Sequence, residues 1–206
     1  MEFISQIWNN KTLRKKILYT FLILAIYRLF VSIPVPTADV STLLNAALGE
    51  WSREVGSFLM LLWGSIERFS IVAVGLAPFI NASIIMQLLT AVLPSLEELT
   101  EQGEQWQQKI QQYTRYLTFP LALLQGIGMV YFINYLFGGN VIDTTSFGIV
   151  LLTAFVLSVG AMIMLWLGDL ITENGITNGT SLLIFASIVA GMSSQVYWSL
   201  AGATNF

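Results

Sequence analysis

Chemistry needs groups that can move a proton, hold a metal or attack a carbonyl, and this chain has few of them. Its 206 residues include no His and no Cys. That excludes imidazole catalysis, histidine metal sites, thiol chemistry and disulfides. No two carboxylates fall within facing apolar segments, no serine–histidine spacing exists, and no Gly-rich loop follows a strand as a phosphate cradle requires. Asp169 and Glu173 close an apolar run, where solvation rather than catalysis is expected. The remaining polar groups are neutral and lie inside greasy sequence: Asn81, Ser83 and Gln87 share the segment Phe69 to Leu93 with Gly75 and Pro78. The expectation is a non-enzyme without cofactor or metal, whose polar groups serve a passage or a contact.

The elements that carry them are membrane helices. Hydrophobic residues make up 55% of the chain and charged ones 10%, against about 25% charged in a soluble domain. A hydrocarbon core of about 30 Å takes roughly 20 apolar residues at 1.5 Å each. Five segments reach or approach that length: Ile17 to Ile33, Phe69 to Leu93, Tyr116 to Phe137, Phe147 to Leu167 and Ser181 to Leu200. The basic start before Ile17 resembles a signal peptide. However, the apolar run is long, contains Arg28 and enters Ile33-Pro34-Val35-Pro36 without a cleavage pattern, so a retained first span is expected. A net charge of −3 offers no field for nucleic acid.

Lys11, Arg14, Lys15 and Lys16 precede span 1, and Lys109 and Arg115 precede span 3, which places the N-terminus in the cytoplasm and, with five spans, the C-terminus outside. In the outer connection 34–68, Val55 to Trp63 is apolar but too short to span, so it reads as re-entrant, interfacial or packed inside. In the cytoplasmic loop 94–115, Ser95 and Glu98 form a capping-box pattern ended by Gly103. A second polar helical stretch, Gln105 to Tyr116, runs into span 3. Arg28 is a charge at depth, expected to snorkel outward or pair with a carboxylate such as Glu67.

Within span 2, Pro78 removes a donor and crowds the preceding turn, freeing the carbonyl near Val74. Leu76, Ile80, Ile84 and Gln87 recur on one stripe, and Asn81 shares the next with Ser70, Val74 and Ile85. Such a helix suits a pore on one side and a neighbouring helix on the other. Two alternatives stay open on the residues alone. The polar groups can simply hold the bundle together at about 0.6–2 kcal/mol per bond, or Gly75, Pro78, Asn81 and Gln87 can form a midplane site in half of a small-solute transporter.

A resemblance now joins these features. PFINASIIMQLLTAVLPSLEEL, KIQQYTRYLT and MLWLGDLITENGITNGTSLLIFASIVAG, with LRKKILYTFLILAIYRL and IPVP before them, resemble the first half of SecY, the bacterial protein-conducting channel. The resemblance implies an all-α membrane fold of five spans plus a short plug-like re-entrant helix at about 55–65, including Phe58, Leu59, Met60, Leu61 and Leu62. It implies an apolar pore ring to which this half gives Leu76, Ile80, Thr180 and Ile184, and a lateral gate with Asn81, Ser83, Ile84 and Gln87. It also implies a passive conduit for unfolded secretory chains in the bacterial inner membrane, opening across it or sideways into the lipid bilayer. The implied partners are SecE-like and SecG-like subunits, the SecA motor or a ribosome, nascent chains, and a second half supplied from elsewhere. Three positions depart from the family's usual residues: Thr180 for an aliphatic one, Trp106-Gln107-Gln108-Lys109 for Gly-Arg-Arg-Lys, and Trp63-Gly64 for Gly-Gly.

Overall fold

The computed structural model describes residues 11–38, 69–93, 104–136 and 141–189. The plug-like segment with Phe58 to Leu62, Glu67, the capping box after Pro94 and everything beyond residue 189 lie outside the described residues. Five helices fill the described part: α1 (Lys11–Val31), α2 (Ala77–Val92), α3 (Glu104–Leu136), α4 (Phe147–Asn174) and α5 (Gly179–Val189). No strand occurs among the described residues, only an isolated antiparallel bridge between Pro34 and Ser70. Among the described residues two helices, Lys109–Tyr135 within α3 and α4 itself, are long and apolar enough to cross a membrane.

α4 is the central element because it is apolar on more than one side. Val150, Ala154, Leu157, Ala161, Met164, Gly168 and Ile171 recur at alternating four- and three-residue steps, and all are buried. α3 and α1 pack on this helix, and α2 packs on α3. One apolar cluster joins Val130 and Ile133 of α3 to Val150 and Leu157 of α4, with Val35, Phe69, Val141 and Ile142 from the connections. A second joins Ile23 and Tyr27 of α1, Met164, Leu167 and Ile171 of α4, and Leu183 of α5. Lipid tails are as apolar as Leu, so close packing rather than water exclusion holds such helices, and small residues allow it. Gly126 meets the backbone of Ala154 in this way, and Gly168 meets Thr180.

At 33 residues α3 is about 50 Å long at 1.5 Å per residue. The polar stretch from Gln105 and the apolar stretch from Tyr116 are therefore one continuous helix, longer than a bilayer core. Pro120 inside it removes a backbone donor. Just before that proline, the hydroxyls of Thr114 and Thr118 donate to the carbonyls of Ile110 (2.8 Å) and Thr114 (2.7 Å). Neither hydroxyl is left unbonded in an apolar environment.

The segment Phe69 to Leu93 differs from its sequence reading. Its helix begins only at Ala77, and residues 69–76 are a buried, turning connection. Ser70 and Val74 therefore share no helical stripe with Asn81. Pro78 lies in the first turn of α2, where its missing N–H is one that no helix satisfies, so it starts the helix instead of breaking it. Backbone pairing holds the connection: Val35 N–H donates to the Phe69 carbonyl (2.9 Å) and Ile71 N–H to that of Ile33 (3.0 Å). Phe69 adopts a positive φ of 37° with its side chain fully buried, a conformation tolerated only where surrounding contacts over-determine it.

Candidate functional site

The expected pore-lining residues come from the start of α2 and the start of α5. Leu76 is the residue before the first turn of α2, with φ −92° and ψ 0° and no side-chain cap. It is 6% exposed and belongs to the cluster of Ile23, Tyr27, Met164, Leu167, Ile171 and Leu183. Ile184 packs against the same cluster, so both residues belong to one packed region. Ile80, one turn beyond Leu76 and joined to it by its N–H to the Leu76 carbonyl (3.0 Å), is 40% exposed and lies outside the cluster. Thr180 stands in the first turn of α5 against Gly168.

The Thr180 hydroxyl is already engaged. It donates to the side-chain oxygen of Asn178 at 2.5 Å, and the same oxygen accepts the Ser181 N–H at 3.3 Å. Asn178 thus caps α5 through an oxygen that also takes up the hydroxyl. The turn before it is tight: Thr172 donates to the Gly168 carbonyl (2.9 Å) and accepts the Gly179 N–H (2.9 Å). A Cβ at Gly179 would strike the Gly168 carbonyl, so α4 and α5 meet at a contact open only to glycine.

The expected gate residues separate by face. Only Pro78 and Ala82 of α2 are buried, whereas Ile80, Asn81, Ile84, Ile85, Gln87 and Leu88 form an exposed arc. Asn81 and Gln87 thus face away from α3, beside Ile84 at 48% exposure. Ser83 is half-buried and returns its hydroxyl to the Ile80 carbonyl (2.8 Å). Gly75, Pro78, Asn81 and Gln87 do not converge as a small-solute site requires, because Pro78 points into the protein and the two amides point out.

Several polar contacts escape sequence reasoning, most of them because they join residues distant in the chain. Asp169 is not simply solvated: its carboxylate pairs with Arg115 at 2.9 Å, tying α4 to α3. Asn134 is buried and brackets Ile142, donating to its carbonyl (2.6 Å) and accepting its N–H (3.0 Å). Thr37 and Thr153 share a hydrogen bond of 2.6 Å between the first connection and α4. Since Thr153 donates to the Ile149 carbonyl (2.7 Å), Thr37 is the donor to Thr153. An Asn inside an apolar run is the only one of these with a visible sequence signal. Arg28 is exposed, about a quarter-turn around α1 from the buried stripe of Ile23, Tyr27 and Val31. Among the described residues no group of His, Cys, Asp and Glu is arranged to hold a metal.

Comparison with known proteins gives one consistent family. The SecY family model matches residues 70–205. The protein translocase subunit SecY of Pseudomonas aeruginosa is 40% identical over 200 residues, covering 97% of this chain and 43% of that protein. That of Corynebacterium glutamicum is 40% identical over 205 residues (95% and 46%), and that of Bacillus licheniformis 41% over 194 residues (94% and 44%). The chain therefore spans somewhat under half the length of these curated relatives. Among solved structures, Sec61 in the canine ribosome–channel complex from the endoplasmic reticulum superposes with a TM-score of 0.57 at 19% identity, covering 92% of this chain and 38% of that one. At that identity the likeness speaks for the fold.

Proposed function

The chain belongs to the SecY family, and from that premise we propose that it forms one half of a protein-conducting channel in the bacterial inner membrane. The observation that carries the reading is the roughly 40% identity to SecY proteins across nearly the whole chain. In this reading the chain crosses the membrane five times, N-terminus in the cytoplasm and C-terminus outside, and the segment around 55–65 is a plug. Unfolded secretory chains pass a ring to which this half contributes Leu76, Ile80, Thr180 and Ile184. Apolar side chains at a constriction hold water out while fitting around a passing polymer. The engaged hydroxyl of Thr180 supports this, since it brings no free donor to the ring.

Asn81, Ser83, Ile84 and Gln87 line one side of a seam through which apolar helices leave into lipid. The exposed arc of α2 supports it, being a face that α3 leaves uncovered. The other side of the seam comes from a second SecY half, with SecE-like and SecG-like subunits around the pair. A SecA motor or a ribosome delivers the substrate, a reading supported by the superposed Sec61 coming from a ribosome–channel complex. Photo-crosslinkers at Ile80 and Ile184, in a complex completed by the second half, are expected to capture a stalled secretory chain. No capture in an assembled, exporting complex refutes the pore assignment.

A further inference from the structure

Of the ring positions proposed for this half, Thr180 alone carries a polar side-chain atom, and the direction of its hydroxyl decides whether the ring excludes water. Hydroxyls inside the helices return to a carbonyl three or four residues back: Thr114 to Ile110, Thr118 to Thr114, Thr172 to Gly168 and Ser187 to Ile184. Thr180 has no helical carbonyl behind it. It is the second residue of α5, so Thr177 and Ile176 precede the helix. Its hydroxyl goes instead to the side-chain oxygen of Asn178, at 2.5 Å.

Both partners are held in place. The Asn178 carbonyl accepts the Leu182 N–H (3.1 Å), and its side-chain oxygen also accepts the Ser181 N–H (3.3 Å). At the next residue, the Gly179 N–H donates to the Thr172 hydroxyl (2.9 Å), and α4 comes too close for any Cβ. The Thr180 methyl lies over Gly168, only 3.3 Å from where a Cβ of residue 168 would stand. A β-branched side chain has few χ1 states. With the methyl against α4, the hydroxyl meets Asn178.

We propose that Asn178 is a positioning residue for the pore seal: it keeps the Thr180 hydroxyl on the end of α5, so that threonine serves in the ring as an aliphatic residue would. This deepens the channel reading above and rests on it. An apolar constriction is closed to ions because water leaves it. A hydroxyl without a partner in such a place recruits water, since leaving it unpaired is costly. Residues 178 and 180 therefore act as a pair, and the threonine suits the seal only with an acceptor two positions before it.

The test is a double-mutant cycle read as resting ion conductance, in the full two-half channel in planar bilayers without substrate. Asn178→Gly removes the acceptor, and glycine is itself a tolerated cap, so α5 is retained. This variant is expected to raise the conductance by about five-fold or more, the change in population that one lost buried hydrogen bond corresponds to. In a Thr180→Val background there is no hydroxyl to free, and the same substitution is expected to change conductance by less than about two-fold. Asn178→Ala, which lacks the acceptor without glycine's backbone freedom, is expected to follow the same pattern. Loss of the bond to Ser181 is common to both backgrounds, so an equal leak in both assigns Asn178 to helix capping alone and overturns the proposal. A leak in neither, while crosslinkers at Ile80 and Ile184 still capture the stalled chain, overturns it and leaves the channel reading standing. If those crosslinkers capture nothing in an exporting channel, the channel reading falls, and the proposal with it.

Discussion

Gly160→Ala gives a sharp test of how the 69–76 connection is held. The added Cβ would lie 2.7 Å from the Ile71 carbonyl carbon and 3.3 Å from the Val72 nitrogen, and closer still to the Ile71 oxygen. These are backbone atoms fixed by the bridge to Ile33–Val35, so no side chain can rotate aside. Overpacking of this kind costs about 1–3 kcal/mol, and with an immovable neighbour the upper end, about 3 kcal/mol, is expected. At roughly 2–4 °C per kcal/mol for 150–250 residues, the thermal midpoint falls by at most about 6–12 °C, and by less in the larger two-half channel. The control is Gly128→Ala on the exposed face of α3, where an added Cβ meets nothing within 4 Å. There, relief of glycine's backbone entropy should raise stability by about 0.5–1 kcal/mol. The assay is thermal unfolding of the detergent-solubilised two-half channel, each variant beside wild type. The same substitution should move the midpoint in opposite directions at the two sites. Equal effects, or a silent Gly160→Ala, refute the close approach of α4 to Ile71.

Asn134→Leu removes both hydrogen bonds to Ile142 and strands two buried backbone groups. A loss of about 1–3 kcal/mol is expected in the same assay, and a stability equal to wild type contradicts the bracket. The Arg115–Asp169 pair is part-exposed on both sides. A double-mutant cycle with Arg115→Ala and Asp169→Asn should give a coupling of only about 0.2–1 kcal/mol that fades with salt, and a coupling insensitive to salt argues against this geometry. Asp143, in the connection before α4, is held below its ordinary pKa of 3.8 by hydrogen bonds from the Thr145 hydroxyl and N–H. Its folded pKa is the lower one, so its contribution to stability is present above 3.8 and lost as pH falls through the folded value. Thr145→Ala should move the Asp143 titration, followed by carboxyl NMR, back upward, and an unmoved titration excludes the hydroxyl as the cause.

What is legible in the sequence is set by distance along the chain. Apolar runs and their ends report on local structure, so the helices around 17–31, 77–92, 116–136 and 147–167 are visible there. The motifs from Pro78 to Leu99 and from Met164 to Gly191 carry the family resemblance by residue type and spacing alone. Residues 69–76 read as helix because a buried turn and a buried helix are equally apolar, and periodicity cannot part them when Ile71, Val72 and Val74 all pack inward. Proline at 78 carries the missing signal, since it is as much a helix opener as a breaker. The Asp169–Arg115 pair, the Pro34–Ser70 bridge and the Thr37–Thr153 bond span 54, 36 and 116 positions. No local pattern encodes such pairings. From Ile80 onward the sequence stripe and the exposed face of α2 agree in register, because a 3.6-residue period suffices once the helix start is known.

The central claim, that this chain is half of a protein-conducting channel, is tested most directly by export itself. Cells depleted of their own SecY would produce this chain together with a SecY second half, and processing of a secretory precursor would be followed by pulse-chase. The account predicts that export resumes, and that Ile80→Asp blocks or deregulates it without preventing assembly of the two halves. Assembly of both halves with no export, or export indifferent to Ile80→Asp, contradicts it.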